Sequence, residues 1–411
     1  MYISSIRIQN LKLLRDFQLD FGPPESPRMW TVLIGENGLC KTSILRAIAM
    51  TAVGYVRANQ LADVPSLADR RNRGTPKVRM RIQSVFGQTT PGNSLKSELW
   101  LSNEDSTLLS SGTAAGTLFQ EVGFEPVRAG HFVAGYGVQR KLPNNPLQFE
   151  MSDPPALVRL ASLFEKGAVI GTNFSKILGQ ISAYEDALRK ALIGVRGLLP
   201  NARNIRLPGQ NWAQSYSDLI EGSVLTLEVG GKDIDMPAVW LSPGYQSIIA
   251  LISDIVGHFF FAHNGPIELD QMKGLILVDE LDLHLHPRWQ MGLIPALRQL
   301  FPKLQFVVTT HSPLILAGAK REEIVVLTQD AEGNVVQRES REHPGLLTAS
   351  GILSSYFDVD RTDAGNLGYL VHRYRTFMLN HARLDSEDQQ EVEKIRRELA
   401  KAGIDPDHFE D

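Results

Sequence analysis

The chain has 411 residues, of which 43% are hydrophobic and 21% are charged, and this is enough to bury a sizeable core in two or three structural units. Its formal net charge of −4 excludes a uniformly basic nucleic-acid-binding protein, so any contact with DNA requires a local basic patch. A single cysteine excludes a disulfide framework and is typical of a reducing cytoplasm. The most apolar run, residues 247–265, is interrupted by Asp254 and His258. It therefore predicts a buried helix of a soluble, cytoplasmic protein with no membrane span.

The first part of the chain predicts strands that lead into a loop and a helix. Residues 2–8 and about 15–21 alternate between apolar and polar residues, as a pair of strands does. The apolar strand MWTVLIG follows, then the loop GENGLCKT at 35–42 and a helix from residue 43. Short strands are predicted over most of 56–150 and amphipathic helices over 155–200. No heptad pattern there persists long enough for a coiled coil.

The second part predicts a hairpin and then a parallel α/β sheet. SVLTLEVGGKDIDMPAVW has the pattern of a hairpin, in which Gly230 and Gly231 supply the positive φ angles of a tight turn. From about 245 onward, helices alternate with strands that are apolar throughout, which is typical of a parallel sheet covered on both faces. Ser386 and Gln389 form a capping box for a last helix that Gly403 closes. The predicted parts are an ATP-binding lobe with a β-subdomain (1–150), an inserted helical arm (151–222), a second lobe (223–342) and a helical tail (343–411).

The loop GENGLCKT has the composition of a phosphate-binding loop. Such a loop needs inward-pointing backbone N–H groups, a lysine for the β and γ phosphates and a hydroxyl for Mg²⁺. In isolation the same letters also fit a glycine-rich turn between a strand and a helix, but the apolar strand in front favours the phosphate loop. The predicted ATP-binding residues are Gly35, Glu36, Asn37, Gly38, Leu39, Cys40, Lys41, Thr42 and Ser43.

A pair of acidic residues follows the later strand GLILVDE. Asp279 is predicted to bind Mg²⁺ together with Thr42, and Glu280 to polarise the attacking water. A lone apolar run that ends in two acids is often only a strand that reaches the surface. The phosphate loop in the same chain favours the catalytic interpretation, with ATP and Mg²⁺ as cofactors.

Two further segments carry a family resemblance. The strand that ends in Thr309-Thr310-His311 resembles the switch region of ABC-type ATPases, and LSPGYQS at 241–247 resembles their LSGGQ signature, with Pro243 and Tyr245 as departures. The resemblance implies that His311 contacts the γ-phosphate. It also implies that Ser242 and the backbone near Gly244 act on ATP held by an opposite subunit, for which a helix N-terminus offers positive potential.

The matching branch is narrower than ABC-type ATPases at large. Lys41 and Ser242 lie about 200 positions apart, a wider spacing than in transporter subunits. IRIQNLKLLRDFQLDF and DELDLHLHP resemble the SMC, RecF and OLD branch and, more closely, small stand-alone ATPases of bacterial anti-phage systems of the Septu and retron-associated type. This implies a two-lobed α/β ATPase head that forms a homodimer, or a higher even oligomer, around ATP. It also implies a separate effector, often an HNH-type nuclease.

For three features, the sequence leaves two interpretations open. Gln139 is either the glutamine that senses Mg²⁺ in the family or a polar loop residue. His284 and His286 suggest a transition-metal site, but they also match the D-loop region, which lies at the subunit interface in the family. The basic stretch at 70–81 fits a DNA contact and, equally, an exposed face of the β-rich lobe.

Cys40 stands where the family has glycine, because the backbone there tends toward positive φ. Another residue adopts that conformation for roughly 1–2 kcal/mol, which bound nucleotide can offset, so we expect a working ATPase whose turnover this strain can slow. We expect it to act as a conformational switch in anti-phage defence. Two rival functions are a RecF-like ATPase that binds duplex DNA and a nucleotide-locked scaffold with negligible turnover.

Overall fold

The computed structural model describes most of the chain, and its residues form two compact units, Met1–Ile352 and Leu353–Asp411. The described residues are 1–67, 80–87, 94–101, 107–110, 132–140, 155–164, 181–195, 198–199, 201–207, 222–338, 342–357, 367–379 and 386–403.

Fourteen strands and nine α-helices lie within these residues. The strands are β1 (Tyr2–Leu11), β2 (Leu14–Asp20), β3 (Trp30–Ile34), β4 (Met80–Gly87), β5 (Ser94–Leu101), β6 (Leu108–Ser110), β7 (Val133–Tyr136), β8 (Ala202–Arg206), β9 (Val224–Val229), β10 (Lys232–Pro237), β11 (Gly274–Val278), β12 (Leu304–Thr309), β13 (Ile324–Gln329) and β14 (Val335–Arg338). The helices are α1 (Lys41–Leu61), α2 (Pro155–Ala161), α3 (Ile181–Leu192), α4 (Pro243–Ala262), α5 (Pro287–Leu300), α6 (Pro313–Leu316), α7 (Ala349–Phe357), α8 (Leu367–Leu379) and α9 (Ser386–Lys401).

The central sheet has six strands in the order β14-β13-β3-β12-β11-β7. All neighbours from β13 to β7 pair in parallel, and only β14 is antiparallel, to β13. Every residue of β3, β11 and β12 is buried, as the apolar runs predict for a sheet covered on both faces. Because carboxyl ends of parallel strands meet at one edge, the segments after β3, β7, β11 and β12 are brought together there.

A five-stranded antiparallel sheet in the order β2-β1-β4-β5-β6 forms the β-rich part. The predicted N-terminal pair is confirmed, with Ile6 opposite Leu19. Helix α1 packs on strands β4, β5 and β6 of this sheet. In β4, Met80 and Ile82 are buried while Arg81 is exposed, as the alternation predicts. The rest of the basic stretch, at 70–79, lies outside the described residues.

A third sheet has the order β10-β9-β8. The predicted hairpin is β9-β10, and its turn places Gly230 at φ 60° and Gly231 at φ 78°. Strand β8 lies within the predicted arm 151–222 and pairs with β9, so this part of the arm contributes a strand besides helices α2 and α3. The division into four parts at 150, 222 and 342 stays a prediction.

Helix α4 is long and apolar enough to cross a membrane, yet 78% of its apolar 18-residue window is buried inside the fold. It is therefore a core helix, as its interruption by Asp254 and His258 predicts. In the second unit, α8 and α9 pack through Tyr374, Ile395 and Leu399, and Gly403 follows α9 with φ 75°.

Candidate functional site

The loop between β3 and α1 has the backbone of a phosphate-binding loop. Residues 36–38 are exposed, whereas Leu39, Cys40 and Ser43 are buried. Gly35 has φ 148°, and a Cβ there would lie 2.7 Å from the Leu327 carbonyl oxygen, so only glycine fits. Helix α1 begins at Lys41 with no side-chain hydrogen bond to cap it, which leaves its positive end directed toward the loop.

Lys41 is folded back onto the loop. Its Nζ donates to the carbonyl oxygens of Gly35 and Glu36, both at 2.8 Å. Burial lowers the pKa of Lys41, while the carboxylates of Asp279 and Glu280 oppose that shift. Within the described residues, the hydrogen bonds of this ammonium go to neutral carbonyl oxygens, so it would gain from an anion at this loop.

Asp279 joins the loop to two strand ends. Its Oδ2 accepts from the Thr42 hydroxyl at 2.7 Å, and its Oδ1 accepts from the Thr309 hydroxyl at 2.6 Å. The Thr309 Oγ1 in turn accepts from the backbone N–H of Glu280 at 2.7 Å. A hydroxyl and a carboxylate in contact beside a phosphate loop are the side chains that hold Mg²⁺ in such proteins. We name Lys41, Thr42, Asp279 and Thr309 the strand-end network.

Glu280 is half-buried and has φ 47°, in the left-handed region that favours glycine. Such a conformation costs about 1–3 kcal/mol for other residues and persists when neighbouring contacts hold it. Its N–H is bound by Thr309, and its carbonyl oxygen accepts from an Arg140 NH2 group at 2.7 Å. The backbone of the predicted general base is thus fixed on both sides.

Sequence reasoning missed Arg140 as a site residue. Its side chain is only 4% exposed, and it also donates to the carbonyl oxygens of Asp279 at 2.6 Å and Gly137 at 2.9 Å. Burial lowers the pKa of Arg140 to about 10, and the nearby carboxylates limit that fall, so it remains charged at neutral pH. Gln139, for which the sequence left a Mg²⁺-sensing role and a polar loop residue equally open, is exposed after the end of β7. Its role with Mg²⁺ stays a prediction.

The switch segment follows β12 at the same edge. Thr310 donates to Asp282, and its Oγ1 accepts from the Ser312 N–H at 2.9 Å. His311 is exposed. Partial desolvation and the charge of Lys41 lower the pKa of His311, which keeps its ring neutral near pH 7.

The signature turn, residues 240–245, leads into helix α4. Ser242 is exposed at the start of the helix, and its side chain does not cap it. Trp240 is 76% exposed. Gly244 is buried against the segment after the acidic pair, since a Cβ there would lie 2.5 Å from the His284 carbonyl oxygen.

His284 and His286 give little support to the transition-metal interpretation. Both side chains are exposed, and His286 Nδ1 accepts from the Arg288 N–H at the start of α5. In the part of the chain that the structure describes, no cluster of three or more histidine, cysteine or acidic side chains is arranged to hold a metal.

These residues fit a nucleotide with Mg²⁺. Residues 36–38 and the uncapped first turn of α1 supply the polar lining for phosphates, and Lys41 supplies the charge. The Thr42–Asp279 pair lies where a divalent ion would be held by one hydroxyl and one carboxylate besides phosphate oxygens. The assignment of the individual residues as ligands stays a prediction.

Comparison with known proteins decides the family. Residues 30–317 match the family described as AAA domain, putative AbiEii toxin, Type IV TA system, and this is more than half of the chain. The chain belongs to this family. The match spans the phosphate loop, the signature turn, the acidic pair and the switch segment.

Among curated relatives, the chain is 25% identical over 404 residues to a Septu protein PtuA of Bacillus mycoides, covering 97% of this chain and 50% of the relative. It is 38% identical over 113 residues to a retron Ec83 probable ATPase of Escherichia coli, covering 27% of this chain and 21% of the relative. The chain therefore spans about half the length, or less, of these relatives. The predicted resemblance to Septu and retron ATPases is confirmed.

Solved structures confirm the fold class. An SMC head bound to the C-winged helix domain of ScpA superimposes with a TM-score of 0.51 at 15% identity, covering 82% of this chain and 98% of that chain. A second SMC head, from Pyrococcus furiosus, gives 0.50 at 14% identity, with 82% and 96% covered. At such identity the likeness concerns the fold, which is that of an ABC-type P-loop ATPase head.

Proposed function

We propose that this protein is an ATP-binding and ATP-hydrolysing conformational switch of anti-phage defence, which acts in the cytoplasm and closes head-to-tail with a second copy around ATP and Mg²⁺. The observation that carries the proposal is the hydrogen bond between Thr42 and Asp279. It joins residues 237 positions apart in the chain, one on the phosphate loop and one after β11. Parallel strand pairing brings the two segments to one edge of the sheet, and the hydroxyl and carboxylate that meet there are the groups that a nucleotide-bound divalent ion requires.

The roles follow from position. Lys41 and the loop N–H groups bind the phosphates, Thr42 and Asp279 hold the metal, and Glu280 accepts the proton of the attacking water. When bound, Mg²⁺ neutralises charge on the phosphates. Thr309 and Arg140 fix the backbone from which Glu280 projects. A neutral His311 can donate or accept one hydrogen bond near the γ-phosphate.

The head-to-tail arrangement is supported by the signature turn. Ser242 and Trp240 are exposed at a helix start that no side chain caps, although residues 247–260 of α4 are all buried. The positive end of such a helix suits a phosphate that the same chain does not hold. A second copy of this chain, with its own loop loaded, supplies such a phosphate.

An effector outside this chain completes the proposal. The relatives carry Septu and retron names, and the family resemblance points to a separate nuclease of HNH type. Closure of two heads would change the surface that they present to it. Co-purification with and without ATP tests this part: a nuclease should be retained in one nucleotide state and released in the other, whereas equal recovery in both contradicts it.

Glu280→Gln tests the switch itself. Loss of the general base should lower phosphate release by about 10²–10⁴-fold while ATP still binds, so that the variant accumulates as a closed dimer. Light scattering after size exclusion, with ATP and Mg²⁺, reports the mass. Glu322→Gln, an exposed glutamate of the same unit, is the matched control. Unchanged phosphate release in Glu280→Gln would rule out Glu280 as the general base. A monomeric mass at saturating ATP would rule out the proposed dimer.

A further inference from the structure

The guanidinium of Arg140 contacts two segments that the proposed mechanism assigns to different nucleotides. Two of its bonds reach the carbonyl oxygens of Asp279 and Glu280, which belong to the chain's own ATP site. Its Nε donates to the Ser247 hydroxyl at 3.2 Å, on the helix that begins with the signature turn. Both Arg140 and Ser247 are buried, at 4% and 2% exposure.

The signature helix rests on the same region at two further points. Gly244 packs against the carbonyl oxygen of His284. The ring of Tyr245 meets the ring of Trp289 edge-on, with centroids 4.4 Å apart. The first turns of α4 therefore lie directly on the segment that follows the acidic pair. A shift of that segment would act on the signature turn through these direct contacts.

Arg140 is the polar part of this contact, and it is charged. A guanidinium donates in a fixed planar fork, so its bonds to the two strand-end carbonyls and to Ser247 cannot move independently. If one of these carbonyls moves by a fraction of an ångström, either the guanidinium moves with it or a charge-assisted hydrogen bond worth about 1.5–3 kcal/mol is lost. The carbonyl of Glu280 is the one most easily displaced, because the left-handed backbone of this residue depends on neighbouring contacts.

We infer that Arg140 is a positioning residue that couples the chain's own nucleotide site to the signature turn that the same chain presents to a second copy. ATP and Mg²⁺ at Thr42 and Asp279 set the backbone of the acidic pair, Arg140 transmits this to Ser247, and α4 adjusts the turn. The inference rests on the proposed function and adds its regulation: a head with an empty loop presents a poorly ordered turn to its partner.

The chain offers a matched pair of variants for testing the link. Ser247→Ala removes only the bond between Arg140 and helix α4 and leaves the three carbonyl bonds of Arg140 in place. Ser253→Ala makes the same change on the same helix at a buried serine whose hydroxyl has no hydrogen-bond partner among the described residues. Any general effect of losing a hydroxyl from α4 appears in both, and loss of coupling appears in one.

The experiment is hydrogen exchange of the backbone amides of residues 244–250 in the full chain, with and without ATP and Mg²⁺. It is run in a Ser242→Arg background, diluted until sedimentation shows only monomer, so that contact with a second copy cannot protect the turn. With Ser247 present, ATP should slow exchange of these residues about tenfold, equally in the Ser253→Ala variant. In Ser247→Ala the response to ATP should fall to less than about twofold, while ATP affinity stays unchanged.

Two results would overturn the inference: an ATP response in Ser247→Ala equal to that of Ser253→Ala, or no response of the monomer in any variant. Failure of the proposed function would give a different result: chains that retain Ser242 would form no ATP-dependent dimer.

Activity gives a second measurement. Arg140→Lys keeps the charge without the fork, so it should lower kcat about tenfold with little change in KM, whereas Arg159→Lys, at a buried arginine bound to the Val133 carbonyl, should change stability only.

Discussion

The strand-end network and the signature turn are built in opposite ways. In the network each member bonds within the chain: Thr42 and Thr309 both donate to Asp279, and Lys41 bonds its own loop. In the turn, Trp240 and Ser242 are exposed and the helix start has no side-chain cap. The first region makes its bonds within one chain, whereas the second leaves the side chains of Trp240 and Ser242 exposed to solvent. Only the second region should therefore depend on another copy of the chain.

Lys41→Met should produce the largest effect, and it tests whether the strand-end network serves nucleotide binding or stability. ATP affinity should fall about 100-fold or more, because a buried charge-assisted contact to phosphate is lost. The free energy of unfolding should change by less than about 1 kcal/mol, because the lost bonds are offset by no longer burying a charge. Calorimetric titration with ATP and urea denaturation measure the two quantities. Lys232→Met, at an exposed position on β10, should leave ATP binding unchanged.

A large loss of stability in Lys41→Met, with ATP affinity retained, would mean that Lys41 serves only to close its own loop. The strand-end network would then be structural rather than part of a nucleotide site.

Thr309→Val tests whether the network fixes the carboxylate of Asp279, the proposed metal ligand. The valine keeps the shape but leaves Asp279 Oδ1 and the Glu280 N–H without this hydroxyl, at a cost of about 1–3 kcal/mol in the free energy of unfolding. Hydrolysis should fall about tenfold, and the Mg²⁺ concentration for half-maximal rate should rise. Thr51→Val, a buried threonine of α1 that bonds Ser84 and its own helix, should cost stability without changing the Mg²⁺ dependence. The same Mg²⁺ dependence in both variants would contradict the assignment.

Trp240→Ala tests the second region directly. Removing a side chain that is 76% exposed should change the free energy of unfolding by less than about 0.5 kcal/mol. An aromatic side chain at the centre of an interface contributes about 2 kcal/mol, so the ATP-dependent dimer should weaken roughly tenfold or more. Leu346→Ala, at a leucine 87% exposed and outside the turn, is the control for loss of surface apolar area. Equal dimer affinity in both variants would place the interface elsewhere.

The sequence predicts the central sheet and the ends of its strands well, for a physical reason. Strands buried on both faces must be apolar throughout, so β3, β11 and β12 are visible as runs, and the loops that follow them are polar. Parallel pairing then brings those loops to one edge. The meeting of Thr42 with Asp279 needs no further information than this.

The sequence does not predict Arg140 or the way Thr309 is used. Gln139 and Arg140 are neighbours beyond the end of β7, where the strand periodicity stops, so no pattern tells which one turns inward. Two of the four acceptors of Arg140 are backbone carbonyls more than a hundred positions away, and every residue type has a carbonyl. Thr309 lies in the predicted switch segment, but its bond to Asp279 depends on the register between β11 and β12.

Cys40→Gly gives the smallest expected effect and tests whether the network tolerates strain. Cys40 has φ 59° and ψ 20°, the left-handed conformation that the missing glycine predicts, at a cost of roughly 1–2 kcal/mol. Glycine removes the strain but gives the unfolded chain more freedom, so the free energy of unfolding should rise by only about 0.5–1 kcal/mol. Cys40→Ala keeps the strain and should give no gain, since alanine has a Cβ and meets the same steric cost in the left-handed conformation. Urea denaturation of both variants compares them, and equal stability would show that the loop relaxes around Cys40 at no cost. If glycine also raises the rate of ATP hydrolysis while alanine does not, the strain at Cys40 slows turnover in a region that is otherwise complete within one chain.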